Sequence, residues 1–420
     1  MSDEVGINSS LVTDHSSLKK TMTKRKIAFL TISLVALVLL LGGSVFGQAA
    51  APKNNIYRYL SIFTEVFELV RNNYVEPVSG DQLMDGAFAG VTDAIDEFSY
   101  YVPPAQMAAY RNFVDVEDNG IGLIITKRFG YGFVISAIEG SPAAKAGIER
   151  GDFIEKIDGQ PTQKLSVWQI KERLKSARPM KLSVIRGGQT KRDEFTVQQA
   201  AFHPLKLETK QMGSVAYIKV PYFEKGTAQQ LRDALANLRK NNTKKLIIDV
   251  RGNAGGDVDE AITAADELLP SGEITSLEGR TVEAKKWTAD RATDYDGDLE
   301  VLTDPSTASG AEIFASAIHG NARGKLIGLT TYGKSIVQKF IPLPSGGGVF
   351  MTVAHYTTPE QKPIKEGGIR PDVTVDLSVQ SIHDPNAKGG AAEAREDLIL
   401  EKALSMFGEK TVVTEQKKAA

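Results

Sequence analysis

The chain has 420 residues, a formal net charge of −2 and no cysteine. At roughly 150 residues per domain, this length predicts two or three domains. The near-neutral charge gives no reason to expect nucleic acid as a partner. The lack of cysteine excludes disulfides, thiol nucleophiles and thiolate metal sites. The five histidines include no pair at helical ligand spacing, so the sequence predicts no metal site and no cofactor.

The first strong feature is an uncharged stretch of twenty residues, Ile27 to Phe46. A helix of that length spans the ~30 Å hydrocarbon core of a bilayer. Five basic residues lie just before it, whereas only Lys53 and Arg58 lie in the twenty residues after it. This asymmetry predicts a single-pass anchor that leaves everything after Phe46 extracytoplasmic, on the periplasmic or cell-surface side. A cleaved signal peptide is the alternative, because Gly47-Gln48-Ala49 resembles a small-residue cleavage site.

Two different sequence patterns follow the predicted anchor. Apolar side chains recur at helical steps from Ile56 to Val70, which predicts an amphipathic helix, and a second helix is predicted from Asp81 to Asp96. Between Phe113 and Val197 short β-rich runs alternate with turns, and one helical segment covers Ser166 to Ser176. This second pattern predicts a small β-module with a helix beside a strand.

From about residue 205 to 380, strand patterns alternate with helix patterns, which indicates an α/β core. Leu246 to Val250 is a continuous apolar run of the kind found in strands buried on both faces. Asp257 and Glu260 have the spacing of a capping box at the start of the next helix. The chain closes with a predicted helix from Arg395 to Phe407 and a charged tail.

Ser309 lies between a predicted strand and a predicted helix. The unpaired N–H groups of a helix N-terminus suit an oxyanion. By itself, however, Ser309 with Glu312 is typical of a capping box. A catalytic serine also needs a base within reach, and the sequence offers two alternatives, His319 and Lys334.

Lys334 requires a depressed pKa to act as a base at neutral pH, because an ordinary lysine has a pKa near ~10.4. Burial between apolar strands depresses a lysine pKa in this way. Gln338 lies four residues on, hence on the same face of the strand predicted from Ser335 to Ile341. Its neutral amide is suited to orient the amine without raising its pKa. By itself Lys334 is typical of a solvated surface lysine.

A glycine-rich loop from Asp249 to Asp257 joins a predicted buried strand to a helix. The backbone N–H groups of such a loop are suited to an anion. Phosphate is an alternative ligand, but the loop lacks the Gly-Lys-Ser/Thr ending of a phosphate-binding loop. Each of these three signals is weak when it is taken alone.

Together, these segments resemble the carboxyl-terminal processing peptidases, or tail-specific serine proteases. The resemblance runs from about residue 56 to 377 and depends on four ordered motifs: Asp249 to Gly256, Ala308-Ser309-Gly310-Ala311-Glu312, Gly333-Lys334 with Gln338, and Gly367 to Asp372. It implies a crotonase/ClpP-like α/β core in which Ser309 attacks, Lys334 is the base and Gln338 positions it. It also implies an oxyanion hole made by the backbone N–H groups of Gly310 and of Gly255 or Gly256.

The β-module resembles a PDZ domain. On this resemblance, Gly120-Ile121-Gly122-Leu123 is the turn that binds the C-terminal carboxylate of a peptide. Such a domain adds the peptide to its sheet as an extra strand. This implies protein or peptide substrates with free C-termini. A PDZ-like module that only packs against the core is the alternative.

The predicted fold is thus a multidomain α/β protein, and its segments are a cytoplasmic tail (1–26), an anchor (27–46), an N-terminal helical region (55–112), a PDZ domain (113–198), a serine peptidase core (205–380) and a C-terminal helix with tail (381–420). The predicted function is that of a membrane-anchored serine endopeptidase that cleaves near C-termini. The rival is a catalytically inactive extracytoplasmic binding protein on the same fold. The resemblance leaves a homo-oligomer open.

Overall fold

The computed structural model describes residues 31, 33–34, 56–114, 120–175, 178–186, 192–291, 293, 295–365, 367–377 and 397–409. The predicted anchor from Ile27 to Phe46 lies outside these ranges except at three positions. Across the ranges that are described, no helix is both long enough and apolar enough to cross a bilayer. The chain divides into two compact units, one ending at Leu83 and the other beginning at Met84.

The described residues form both helices and strands. In chain order, the helices are α1 (Ile56–Asn73), α2 (Gly80–Asp93), α3 (Met107–Val114), α4 (Pro142–Lys145), α5 (Val167–Leu174), α6 (Thr227–Lys240), α7 (Val258–Asp266), α8 (Gly310–Gly320) and α9 (Leu398–Met406). The strands are β1 (Tyr100–Val102), β2 (Leu123–Arg128), β3 (Tyr131–Ala137), β4 (Phe153–Ile157), β5 (Gln160–Pro161), β6 (Met180–Ile185), β7 (Arg192–Val197), β8 (Glu208–Met212), β9 (Val215–Lys219), β10 (Lys245–Asp249), β11 (Gly272–Gly279), β12 (Lys285–Ala289), β13 (Asp298–Thr303), β14 (Lys325–Gly328), β15 (Ile336–Pro342), β16 (Gly348–Thr357) and β17 (Val373–Thr374).

The predicted β-module is one sheet with strand order β2-β3-β4-β6-β7, and β5 pairs with β4. Strand β2 is at the edge of this sheet, and helix α5 packs beside it. Ser166 caps α5 together with Gln169, whose side-chain oxygen accepts the Ser166 N–H at 2.9 Å. The predicted helix beside a strand is therefore confirmed. Ile170 of α5 packs into the apolar core of this sheet with Ile125 of β2.

The predicted α/β core is built on a six-stranded sheet of order β17-β14-β13-β10-β9-β8. Strand β10 lies between β9 and β13 and runs parallel to both. Leu246 and Ile248 belong to an apolar cluster with helices α6 to α8, whereas Ile247 packs on the opposite face with α9. Because alternate side chains of a strand point to opposite faces, both faces must be apolar, as the continuous run predicts. The loops that follow β10 and β13 leave the sheet at the same edge, since parallel strands end together.

A second, antiparallel sheet has the long strand β16 at its centre, paired with β1, β11 and β15. Strand β1 was not predicted, and neither was the following helix α3. Tyr100 pairs with Phe350 across β1 and β16, and their rings stack with centroids 4.9 Å apart. The N-terminal helical region thus ends by adding a strand to the peptidase core. The prediction missed it because three residues carry too little periodicity to stand out.

Two predictions about helix ends need correction, one about where α2 ends and one about how α7 is capped. Helix α2 ends at Asp93 and not at Asp96, because the Asp96 carboxylate accepts the N–H groups of Phe98 and Ser99 and so forms a turn. The capping box at α7 is only half formed. Asp257 caps the helix, but the Glu260 carboxylate instead accepts two N–H groups at the start of α6. The free N–H groups at the start of α6 attract the Glu260 carboxylate, so it does not bond back to the N-cap of its own helix.

Candidate active site

Ser309 follows β13 and caps helix α8, in a turn with unusual backbone geometry. Its φ is 53° and its ψ is −123°, a combination that a residue with a Cβ adopts only when its surroundings impose it. Gly255 packs directly against this turn, since a Cβ on Gly255 would lie 2.6 Å from the Ser309 Cβ. Gly255 itself has a φ of +107°, so only glycine fits there in both conformation and space. The two loops therefore hold the serine in one place.

Glu312 connects the serine turn to the lysine segment. Its buried carboxylate accepts the Ser309 N–H at 3.1 Å, as the predicted capping box requires. It also accepts the N–H of Gly333 at 2.6 Å and that of Lys334 at 2.8 Å. Two hydroxyls complete the set, those of Thr331 and Ser335. The sequence predicts only the capping role of Glu312, so this second role was missed.

Lys334 is partly buried, with its ammonium 4.7 Å from the centre of the Phe98 ring. Among the described residues, no group accepts a hydrogen bond from its Nζ. Burial lowers the pKa of Lys334, although the carboxylates of Glu97, Asp96 and Glu312 act in the opposite direction. The predicted depression of its pKa thus has a structural cause. The aromatic ring beside the ammonium belongs to the N-terminal region, not to the flanking strands that the sequence suggested.

Gln338 donates from its Nε2 to the Phe98 carbonyl oxygen at 3.1 Å. Gln338 and Lys334 line the same cavity, although Lys334 precedes the strand. Strand β15 begins only at Ile336, and its pairing shifts register between Val337 and Gln338. The contact that the structure provides is indirect: Gln338 holds the backbone of the residue whose ring covers the ammonium.

Asn253 organises the glycine-rich loop. Its buried amide donates to the Val220 carbonyl at 2.9 Å, and its side-chain oxygen accepts the Gly255 N–H at 2.9 Å. Its own carbonyl accepts the Ala308 N–H at 3.0 Å, next to the serine. The Gly255 N–H is therefore already used within the loop. In the described part of the chain, the N–H groups of Gly256 and Gly310 donate to no protein group.

Arg251 anchors the start of the same loop. Its guanidinium pairs with Asp249 at the end of β10 and, at 2.6 Å, with Asp397 at the start of α9. Tyr217 donates to the same Asp249 carboxylate at 2.8 Å. A buried acid with two such donors fixes the loop root and does not serve as a catalytic acid.

One cavity of about 700 Å³ contains the predicted catalytic residues. Ser309, Lys334 and Gln338 line it together, and Ser335 donates to the Ser309 carbonyl at 3.0 Å beside it. The β-module contributes lining residues from β2 and α5, and helix α3 contributes others. The structure thus brings the three residues together in a cavity that the β-module also lines.

The predicted carboxylate-binding turn lies where β2 begins. A Cβ on Gly120 would lie 2.5 Å from the Leu174 carbonyl oxygen, and one on Gly122 would lie 2.2 Å from the Ser141 Cβ. Both glycines are therefore needed for close packing. Ile121 is fully buried in the module, while Leu123 lines the cavity shared with Ser309.

Glu97 links the β-module to the lysine segment. It accepts the Tyr332 hydroxyl at 2.6 Å and pairs with Arg128 of β2 at 2.8 Å. Its backbone carbonyl accepts the Thr126 hydroxyl at 2.6 Å. No local pattern singles out Glu97, although it lies in the segment Asp96 to Tyr101 that leads into β1.

His319, the alternative base, is not at this site. It lies at the end of α8, where its Nε2 is 3.2 Å from an Asp372 carboxylate oxygen, and it does not line the cavity. Across the described residues, no three histidine or acidic side chains are grouped so that they could hold a metal ion.

Comparisons with known proteins agree with this arrangement. A model of peptidase family S41 matches residues 214–375, and a PDZ domain model matches residues 133–185. The chain is 31% identical to a carboxy-terminal-processing protease of Bartonella bacilliformis over 79% of this chain and 79% of the relative. This chain belongs to peptidase family S41. The resemblance to carboxyl-terminal processing peptidases is therefore confirmed.

A further relative and a solved structure agree with this assignment. The carboxy-terminal processing protease CtpA of Bacillus subtilis is 30% identical over 81% of this chain and 74% of its own length. The structure of a photosystem II D1 C-terminal processing protease has the same fold, with a TM-score of 0.60 at 24% identity over 76% of this chain and 94% of that one. The protein is thus a serine-type protease with a PDZ domain and a mixed α/β fold.

Proposed function

We propose that this protease cleaves polypeptides near their C-termini, with Ser309 as the nucleophile and Lys334 as its general base. The observation that carries the proposal is the single cavity that Ser309, Lys334 and Gln338 share with β2 of the PDZ domain. A base is needed because a serine hydroxyl is a weak nucleophile at neutral pH. Lys334 fits this role, since burial lowers its pKa and its Nζ has no hydrogen-bond acceptor among the described groups.

The reaction follows from these positions. The neutral Lys334 amine takes the proton of the Ser309 hydroxyl as the oxygen attacks the scissile carbonyl carbon. The Lys334 ammonium then gives that proton to the leaving amine as the peptide bond breaks, which leaves an acyl-enzyme. A water molecule, deprotonated by the same amine, then attacks the acyl carbonyl carbon; the bond from Ser309 Oγ to the acyl group breaks, and the Lys334 ammonium returns the proton to Oγ. Phe98 and Gln338 keep the amine in place through these steps.

The oxyanion of each tetrahedral intermediate requires N–H donors that are not already bonded. Gly310 is the first residue of α8, and its N–H donates to no described protein group. Of the two alternatives in the glycine-rich loop, we favour Gly256, because the Gly255 N–H donates to Asn253. Gly255 then contributes to the site by packing closely against the Ser309 turn.

The substrate end is held by the PDZ domain in this proposal. Strand β2 is an edge strand, so its outer side is open to a peptide that adds as a further strand. Gly120-Ile121-Gly122-Leu123 would bind the C-terminal carboxylate at the start of β2. A peptide held there extends toward Ser309 through the shared cavity, which makes a protein with a free C-terminus the expected substrate.

We further propose that residues 27–46 anchor the protease in a membrane, with the cavity on the extracytoplasmic side. The support is the twenty-residue uncharged stretch and the basic residues before it. Full-length protein should remain in the membrane fraction after alkaline carbonate extraction, whereas a chain starting at residue 47 should not. Equal extraction of the two proteins would refute the anchor.

The catalytic proposal is tested with a folded reporter that carries an unstructured apolar tail. Wild-type protease should shorten the tail, and Ser309→Ala should reduce the rate by more than ~10³-fold. Thermal unfolding of the variant should match the wild type, which excludes misfolding as the cause. Equal cleavage by both proteins would remove Ser309 from the mechanism.

A further inference from the structure

Lys171 lies on the PDZ helix α5, and its side chain lines the cavity that contains Ser309. The residue is only partly exposed. In the part of the chain that the structure describes, it forms no hydrogen bond and no ion pair. The proposed mechanism does not use it. A cation directed into an apolar cavity without a partner needs an explanation, because desolvating a charge costs free energy.

The charges around this cavity have one sign. The other titratable side chains that line it are cations and tyrosines: Arg111, Lys175, Lys334, Tyr100 and Tyr110. No aspartate or glutamate is among its lining residues. Lys175 is already engaged, since its ammonium lies over the Phe113 ring and donates to the Phe113 carbonyl. Lys171 is therefore a cation of this wall that lacks a counter-charge within the described residues.

We infer that Lys171 binds a carboxylate of the peptide substrate and so selects tails that carry one at this position. The inference rests on the proposed function and adds a specificity-determining residue to it. Apolar walls hold the peptide, and a desolvated ammonium gives a charge-assisted hydrogen bond that a neutral amide cannot match. The missing partner of Lys171 is then supplied by the substrate.

The position of Lys171 allows two sources for this carboxylate. Lys171 is three residues before Leu174, whose carbonyl packs against Gly120 of the proposed carboxylate-binding turn. Three residues of helix rise about 4.5 Å. The carboxylate is thus either the C-terminus itself or an acidic side chain close to it, and the chemistry of the contact is the same.

Peptide binding to the Ser309→Ala protein tests the inference without cleavage. Three short fluorescein-labelled apolar peptides are compared: one with glutamate third from a free C-terminus, one with glutamine there, and one with the glutamate but an amidated C-terminus. We expect one neutral replacement to weaken binding about tenfold. Adding Lys171→Met should abolish that discrimination, and adding Lys171→Arg should retain it. Lys181→Met, an exposed lysine of β6, is the matched control and should change nothing.

The pattern of losses identifies the source. Loss of the glutamate–glutamine difference assigns Lys171 to a side chain, and loss of the acid–amide difference assigns it to the C-terminus. Discrimination that survives Lys171→Met overturns the inference, as does equal binding of all three peptides. Because binding is measured with Ser309→Ala, these results stand apart from the catalytic proposal, which fails only if the wild type does not cleave.

The pH dependence of binding gives a second readout. Burial, with smaller contributions from Lys334 and Lys175 when these are protonated, lowers the pKa of Lys171 to about 7. The ammonium is fully charged below that pH and is lost above it, while peptide carboxylates stay ionised. Discrimination should therefore be larger at pH 6 than at pH 8.5 in the Ser309→Ala protein. An equal discrimination at both pH values would contradict a role for Lys171.

Discussion

Two ionisable side chains at the active site, Glu312 and Lys334, are treated in opposite ways by their surroundings. The Glu312 carboxylate is buried and accepts five hydrogen bonds, from both the serine turn and the lysine segment. The Lys334 ammonium is also desolvated, but an aromatic ring is its neighbour and no described group accepts its hydrogens. Burial disfavours the charged form of both groups, but the hydrogen bonds of Glu312 fix the geometry around it, whereas Lys334 has no hydrogen-bond acceptor among the described groups.

The group that fixes the geometry and the group proposed to react are thus two different side chains, Glu312 and Lys334. Burial raises the pKa of Glu312, while the hydrogen bonds that it accepts act against that shift and hold two loops together. The same burial lowers the pKa of Lys334, which favours the neutral amine. In the proposed mechanism, Glu312 therefore sets the distance between nucleophile and base, and Lys334 transfers the proton.

The largest expected effect comes from removing the reactive partner. Lys334→Arg should lower kcat/KM by about 10³-fold, because a guanidinium stays protonated and cannot accept the serine proton. In the wild type, kcat/KM should rise with pH through the depressed pKa of Lys334, since only the neutral amine is active. Tail cleavage measured from pH 5 to 10 checks both statements.

His319 provides the control for that experiment. It pairs with Asp372 away from the cavity, so His319→Ala should keep the wild-type rate and pH profile. Normal turnover by Lys334→Arg would show that another group is the base.

The next effect in size concerns the rigid partner. Glu312→Ala leaves the N–H groups of Gly333 and Lys334 and a buried hydroxyl without acceptors, so it should cost about 3 kcal/mol of unfolding free energy. Urea unfolding of the chain from residue 47 onward measures this. Glu283→Ala, at an exposed glutamate, should stay within about 0.5 kcal/mol of the wild type. A loss at Glu312 as small as that of the control would show that its hydrogen bonds do not stabilise the fold.

The smallest expected effect is a gain in the free energy of unfolding, not a loss. The folded chain holds Lys334 at a pKa below its ordinary 10.5, so the unfolded chain binds more protons between those two values. Wild-type stability therefore rises with pH across that window, and the penalty is fully present below it. Lys334→Met removes the penalty and should raise stability at pH 7 by about 1 kcal/mol.

Calorimetry at pH 7 and near pH 10 tests this, because the gain should shrink at the higher pH. Lys339→Met, at an exposed lysine of the same segment, is the control and should have no effect at either pH. A lower melting temperature for Lys334→Met than for the control would mean that the ammonium stabilises the fold.

The sequence predicted regular elements well, both in the core and outside it, because their signals are local. The apolar run in β10 and the periodic residues of α1 carry enough repetition to indicate both type and position. The family motifs also singled out Ser309 and Lys334, which line one cavity in the structure. Strand β1 and helix α3 were missed, because their positions depend on pairing with β16 and on packing against α5, which are far away in the chain.

The groups around Lys334 were the least predictable part of the candidate site. Phe98 and Glu97 lie more than 200 residues before Lys334, and nothing in their own sequence indicates that they meet it. The hydrogen bond from Gln338 to Phe98 was not predicted for a related reason, since neither the bulge in β15 nor its distant partner can be read from one strand alone. Tertiary contacts, and not local propensity, determine which groups face the ammonium.

The link made by Glu97 has a practical consequence for protein engineering. Arg128 belongs to the PDZ domain and Tyr332 to the peptidase, yet both bind the same carboxylate of a third segment. Exchanging the PDZ domain for that of a relative would break half of this link unless residues 96–99 were exchanged with it. The smallest transplantable unit is therefore a domain together with a short piece of chain that precedes it.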